Sequence, residues 1–216
     1  MKFNLKKELP VLAIVAIPFI YLAYVWNSLP EKVPMHWNIK GEIDRWGEKE
    51  ELILIPFLLP LLVYLIFLVV PFIDPKKQLN KMGSKYQSLK LIFTLLMSLL
   101  AVFIIYTAKE STFSNPNYIF ILIGILFIVL GNFFQTIKPN YFIGIKTPWT
   151  LENEDIWKKT HLLGGKMWFV GGLVIILTSL VLKNELAFVF FITITLALAF
   201  IPILYSYLLY KKGEIK

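Results

Sequence analysis

The sequence predicts an all-α, polytopic membrane protein with six transmembrane helices, both termini cytoplasmic, a structured outer loop and a cytoplasmic loop-helix. Three observations carry this. Hydrophobic residues make up 57% of the 216-residue chain and charged residues only 17%, more apolar surface than a water-soluble domain of this size can bury. The apolar residues are gathered into six uncharged runs. Most of these are long enough, at about 1.5 Å per residue, to cross roughly 30 Å of hydrocarbon, where helix is the only open-chain solution. With the N-terminus inside, sixteen of the 22 Lys and Arg fall on the inner side, the asymmetry of the positive-inside rule.

The first run, 9–29, follows Lys2, Lys6 and Lys7. It is longer than a signal-peptide core and lacks an Ala-x-Ala cleavage site, so it reads as a retained signal anchor in the cell membrane. The others are 52–73, 91–108, 118–137, 167–182 and 186–209. The fifth is short and is expected to borrow a turn from 162–166, with Lys166 snorkelling. Prolines 18, 56, 60, 71 and 202 lie within or at the ends of runs and permit kinks, a weakly informative feature in membranes. Trp26, Trp37 and Trp46 fall near the predicted outer boundary and Trp149, Trp157 and Trp168 near the inner one, as an aromatic belt predicts. The connections 109–117 and 183–185 are too short for a site; the latter makes spans five and six an antiparallel hairpin.

The expected organisation is a two-helix unit, 1–73, carrying the outer loop 29–51; a basic cytoplasmic loop, 74–90; and a four-helix region, 91–216, carrying the inner loop 138–166. The absence of cysteine excludes disulfides and thiol chemistry. The net charge of +8 sits in loops beside apolar runs and reads as a membrane-facing surface rather than a nucleic-acid site. No cofactor is implied. Two histidines with scattered carboxylates lack the spacing of a zinc or calcium centre.

Two loops remain as candidate sites. The outer loop is rich in turn formers, and Asn38, Ile39, Lys40 and Gly41 are placed to reverse the chain. His36 beside Trp37, within reach of Asp44, suits a pH-sensitive or peptide-binding surface. The simpler reading is that His36 and Asn38 cap a folded turn while the Trp rings anchor it at the headgroups. The pattern Pro-x-His-Trp-Asn, then Gly and Asp-x-Trp, carried by Leu29, Pro30, Val33, Pro34, His36, Trp37, Asn38, Gly41, Asp44 and Trp46, resembles the small domain of unknown function that precedes the SdpI region in many bacterial and archaeal membrane proteins.

The inner loop reads as an extended entry, 138–147, followed by a short helix lying along the membrane interface. Thr147 before Pro148, or Thr150, serves as N-cap, and Glu152, Glu154 and Asp155 favour the positive helix end. Lys158 and Lys159 follow Glu154 and Asp155 in the favourable order for ion pairs, and Gly164-Gly165 end the helix or hinge it into span five. Tyr141, Trp149 and Trp157 are expected as interfacial anchors. Asn132 and Gln135, one turn apart, are expected as interhelical hydrogen-bond glue. His161 either satisfies a carbonyl or Glu154, or has a functional polar role; both readings stand.

The series Gly131, Asn132, Pro139, Asn140, Gly144, Lys146, Thr147, Pro148, Trp149, Thr150, Leu151, Trp157, Thr160, His161 and Gly164 resembles the signature of the SdpI family. Lys146 stands where relatives often have Arg, which keeps the charge but loses the planar fork. The resemblance implies a non-enzymatic membrane immunity protein, active against a secreted peptide toxin met at the outer face and associated with signalling to a cytoplasmic transcriptional repressor. The implied partners are the lipid bilayer, the toxin and the repressor, with no direct contact to nucleic acid. Three alternatives stand beside it. A small transporter or channel would be favoured by charge inside a span, and the runs contain none. An intramembrane enzyme would use His161. The basic inner face could also serve anionic lipid or a DNA-binding partner protein.

Overall fold

The computed structural model describes residues 4–40, 42–75, 77–110 and 117–214. The elements in order are α1 (Leu5–Val25), β1 (Lys32–Trp37), β2 (Ile43–Glu48), α2 (Lys49–Ile73), α3 (Gln78–Lys81), α4 (Ser84–Glu110), α5 (Asn117–Phe134), α6 (Pro148–Glu152), α7 (Glu154–Val181) and α8 (Asn184–Glu214). Six of the helices, α1, α2, α4, α5, α7 and α8, are long and apolar enough to cross a membrane, as the hydropathy pattern predicts. Their surfaces remain apolar, with Tyr24 84%, Val181 80% and Phe72 70% exposed, the condition of helices whose solvent is lipid.

Three local expectations are corrected. The stretch 74–90 is not simply a loop: it contains α3 and the first two turns of α4. The short interfacial helix expected after Thr147 is two elements. α6 is capped by Thr147 and stops at Asn153, which in turn caps α7 by accepting from the Asp155 and Ile156 amides. Gly164 and Gly165 neither end nor hinge α7, which runs unbroken through them, because both are packing positions.

The chain divides into two compact units, Met1–Ile73 with Ser84–Ile119 and Asp74–Gly83 with Phe120–Lys216. In the first, α4 runs parallel to α1. Lys90 meets Glu8, Ser98 meets Ile14, and Ile105 and Ala108 cluster with Leu22 and Val25, a nearly constant offset along both helices. α2 is antiparallel to α1: Tyr64 packs with Val11 and Val15, and Phe57 meets Phe19 edge-on at 4.9 Å. Around Pro60, α2 widens into a π-helical stretch, Phe57–Leu61, an accommodation of the missing proline N–H.

Prolines also organise the helix contacts. A proline inside a helix leaves the carbonyl four residues earlier without its donor, and in an apolar medium that carbonyl must find another. Pro18 frees the Ile14 carbonyl, which accepts from Ser98 Oγ at 2.9 Å. Pro71 frees that of Phe67, which accepts from the Tyr86 hydroxyl at 2.7 Å. Pro202 frees that of Leu198, which accepts from Trp168 Nε1 at 3.0 Å.

In the second unit, α5 and α7 cross antiparallel with glycine against glycine. A Cβ on Gly131 would lie 2.6 Å from the Gly165 carbonyl, and one on Gly124 would lie 2.9 Å from that of Gly172. Only glycine permits such backbone approach. α7 and α8 form the expected antiparallel pair, with Gly164 against Pro202 and Gly171 against Leu198 and Ile194.

Candidate functional site

The loop between α1 and α2 is an antiparallel hairpin. Its register pairs Lys32 with Glu48, Val33 with Gly47, Pro34 with Trp46, His36 with Arg45 and Trp37 with Ile43, and Met35 is the extra residue of a bulge. Asn38 reverses the chain: its Oδ1 accepts from the Lys40 amide at 2.9 Å and the Glu42 amide at 3.0 Å, while its Nδ2 donates to Glu42 at 2.8 Å. This is the Asx geometry that makes asparagine a turn former. Gly41 lies outside the described residues. His36 and Asp44 close the top with a 2.6 Å contact between Nδ1 and Oδ1. With Met35 and Arg45 they line an open surface hollow.

The base of the hairpin is fastened by Val33 and Leu29. Both are buried with Leu22, Val25, Leu52, Ile105 and Ala108 from the three helices of this unit. Lys32 pairs with Glu48, and this bond holds the Lys32 ammonium above its ordinary range. Lys49 pairs with Glu31 at 2.8 Å. Glu48 also starts α2, sharing a capping box with Glu51. Trp46 is half exposed, whereas Trp37 is partly buried, its Nε1 without a hydrogen-bond partner among the described residues. Asn38, expected as a turn cap, is one; His36 contributes its contact with Asp44 instead.

The second candidate is the 138–147 loop with α6 and the start of α7. Asn140, 1% exposed, is its internal scaffold. Nδ2 donates to the Lys138 and Ile143 carbonyls, at 2.9 and 3.0 Å, and Oδ1 accepts from the Phe142 and Ile143 amides, at 2.9 and 2.7 Å. Lys146 closes the outside by donating to the Tyr141 and Phe142 carbonyls at 3.1 and 3.2 Å. Gly144 has φ of +121° and lies against His161 and Trp157, so a side chain there meets both a forbidden backbone region and two rings.

His161 fixes the loop to α7. The Ile145 amide is a donor and lies 2.9 Å from His161 Nε2, so Nε2 accepts; Nδ1, 2.8 Å from the Trp157 carbonyl, therefore carries the proton and donates. This is the neutral tautomer with both nitrogens committed. The ring stacks on Trp157 at 3.9 Å and meets Phe134 edge-on at 5.8 Å. Of the two expected partners, the Trp157 carbonyl is the one His161 meets, while Glu154 is exposed.

Trp157 was expected to be an interfacial anchor. It is instead 2% exposed and donates from Nε1 to the Ile137 carbonyl at 2.8 Å, which makes it the core of the loop. Trp168, assigned to the belt, is half-buried and packs on Phe127 and Phe134. Trp149 donates to Ser206 at 2.7 Å and packs on Tyr207 and Tyr210 of α8. Thr147 and Thr150 cap one another, and Thr150 reaches back to the Ile145 carbonyl at 3.1 Å. Thr160 is fully buried, with no hydrogen-bond partner among the described residues. Pro139 is half-buried and Pro148 opens α6 at an exposed position. Asn132 and Gln135, expected to bond between helices, are both exposed.

One polar group missing from the sequence reading is Glu8 with Lys90. Both lie inside membrane-length helices, buried and paired at 2.6 Å. The sequence alone places them at the edges of apolar runs, and the missed signal is that each continues the buried face of its helix by one turn.

Over 210 residues, covering 96% of this chain and 98% of the relative, the sequence is 28% identical to Immunity protein SdpI of Bacillus subtilis (strain 168). Over 42 residues, 19% of this chain and 23% of the relative, it is 40% identical to an uncharacterized protein of Archaeoglobus fulgidus. No solved structure matches. Residues 13–59, which hold the hairpin, match a domain of unknown function, DUF1648. Residues 136–206, which hold the loop, α6 and α7, match the SdpI/YfhL protein family, and this match follows the DUF1648 match in the order the resemblance implies.

Proposed function

We propose that this chain is a non-enzymatic, multi-pass immunity protein of the cell membrane, protecting the cell that makes it against a secreted peptide toxin. The observation that carries this reading is the near end-to-end match with an immunity protein, 96% of one chain against 98% of the other. The rigid, backbone-bonded loop around Asn140 and His161 supports a binding or signalling element, since both His161 nitrogens are already used.

In this reading both termini are cytoplasmic, by the positive-inside asymmetry. The hairpin then faces outward, and His36, Trp37, Asn38, Gly41, Asp44 and Trp46 meet the toxin. The opposite face carries the signature residues Asn132, Pro139, Asn140, Gly144, Lys146, Thr147, Pro148, Trp149, Trp157, Thr160 and His161. Of these, the exposed Lys146 and Pro148 and their neighbours contact a transcriptional repressor. Expression in a toxin-sensitive host is expected to restore growth in the presence of the cognate peptide and to make a neighbouring repressor sediment with membranes. Absence of protection against every peptide encoded nearby overturns the immunity reading; a repressor that stays soluble overturns only the relay.

A second reading, a small membrane transporter, draws on the buried Glu8–Lys90 pair, because charge inside a span marks ion and substrate paths. Saturable flux into vesicles would support it.

A further inference from the structure

The first unit holds a polar cluster that neither loop uses. Lys90 Nζ lies 2.6 and 2.7 Å from the two carboxylate oxygens of Glu8, and the Tyr64 hydroxyl donates to the same carboxylate at 3.2 Å. The ammonium stands 5.9 Å from the centre of the Tyr64 ring. Each of α1, α2 and α4 contributes one group, and the Lys90 and Glu8 side chains are only 2% and 5% exposed. One turn beyond Lys90 on α4, Thr94 is 0% exposed and its hydroxyl has no hydrogen-bond partner among the described residues.

A buried ion pair is a weak source of stability, since well-packed apolar residues do as well or better; its best-attested uses are setting register and switching. Here it is buried within membrane-length helices, and inside a membrane an ionisable group marks function by default. The cluster is buried but lies close to the helix ends. Glu8 lies in the first turn of α1 and Lys90 in the second turn of α4, so bulk protons are about two turns away. An unsatisfied hydroxyl beside a saturated ion pair is spare bonding capacity. It gives the ammonium a second place to go.

We propose that Glu8, Tyr64, Lys90 and Thr94 form a proton-binding site whose occupancy decides whether α1 is latched to α4. A proton from hydronium adds to the Glu8 carboxylate, releasing water and forming one O–H bond. The neutral carboxyl keeps the Tyr64 hydroxyl and no longer holds the ammonium. Lys90 retains its three protons and turns one toward Thr94 Oγ1, its i+4 neighbour on the same face. The charged and titratable groups facing Glu8 are Lys90 from α4 and Tyr64 from α2; Lys6 and Lys7 of α1 itself are exposed, and Tyr86 of α4 is committed to the Phe67 carbonyl. Release opens α1 from α4 at this end. The other end stays fastened by Leu22, Val25, Ile105 and Ala108, against which Val33 seats the hairpin.

The chain contains no cysteine, so spin labels can be placed pairwise without background. One pair, Leu5→Cys with Ser88→Cys, reports the cluster end at exposed positions; the other, Tyr24→Cys with Tyr106→Cys, reports the hairpin end. Distances are measured in lipid vesicles at neutral pH and after acidification. The near pair is expected to lengthen by several ångström in acid while the far pair stays fixed. Glu8→Gln, the neutral mimic, is expected to show the longer distance at both pH values. If Glu8→Gln does not fold, Glu8→Gln with Lys90→Gln removes both charges and is expected to be equally insensitive to pH. Identical near-pair distances at both pH values overturn the proposal, as does an undiminished acid response in either Glu8 variant. The readout is independent of immunity, so it stands or falls apart from the proposed function.

Discussion

Ser98→Ala removes a single hydroxyl from a buried position and leaves the Ile14 carbonyl, freed by Pro18, without a donor. Interhelical hydrogen bonds in membrane proteins are worth about 0.6 kcal/mol on average and at most about 1.7 kcal/mol. The hydroxyl leaves only a small void, so the expected loss is about 1 kcal/mol. The structure also predicts where this loss disappears. In a Pro18→Ala background, the new amide at position 18 can serve the Ile14 carbonyl from within α1. Ser98→Ala then costs close to nothing, and the double-mutant cycle yields an interaction energy of about 1 kcal/mol. Reversible unfolding in mixed micelles, followed by tryptophan fluorescence, measures all four proteins. An equal cost of Ser98→Ala in both backgrounds would refute the assignment of this hydroxyl to the proline-freed carbonyl.

Other expectations follow from single contacts. Gly131→Ala places a Cβ 2.5 Å from the Phe169 amide and 2.6 Å from the Gly165 carbonyl, both backbone atoms. It should cost about 1–3 kcal/mol in the same unfolding assay, whereas Ala at an exposed helical site should be neutral. His161→Ala orphans the Ile145 amide and removes the ring stacked on Trp157. A loss of about 1–3 kcal/mol with a change in tryptophan emission is expected; unchanged emission would contradict the stack. Asn140→Asp keeps the acceptor and loses both donors to Lys138 and Ile143, so limited proteolysis should cut the loop faster than in the parent protein. Trp46→Ala, on the exposed face of the hairpin, should leave the unfolding midpoint unchanged and reduce protection of a toxin-sensitive host. Full protection would remove Trp46 from the toxin surface.

The six helices were legible because length and apolarity decide membrane crossing with little help from tertiary context, and the turn was legible because Asn38 carries its own hydrogen bonds. The start of α7 was legible as a helix but not as part of span five, since Gly164 and Gly165 suggest a break where the helix runs on. Gly164 and Gly165 read as a stop because their local cost in a helix is plain, while their gain, contact with Ile145 and with the Gly131 carbonyl, lies on other elements. Trp157 and Trp168 read as belt residues for the same reason: their N–H partners, Ile137 and Leu198, are remote in sequence. The significance of Pro18, Pro71 and Pro202 was likewise invisible until the donors of the freed carbonyls were known.

The spacing of the α5–α7 glycines limits how that pair can move. Gly124 and Gly131 are a heptad apart, as are Gly165 and Gly172, and each faces a backbone carbonyl of the opposite helix. Sliding one helix along the other by a single turn would drive a side chain such as Ile128 or Phe169 into a slot that admits only hydrogen. Sliding by a full heptad would leave one of the two contacts empty. Piston motion is therefore closed to this pair, while pivoting about the two contact points is not. Any signal that crosses the second unit must travel as a tilt or a rotation, or be carried by α8.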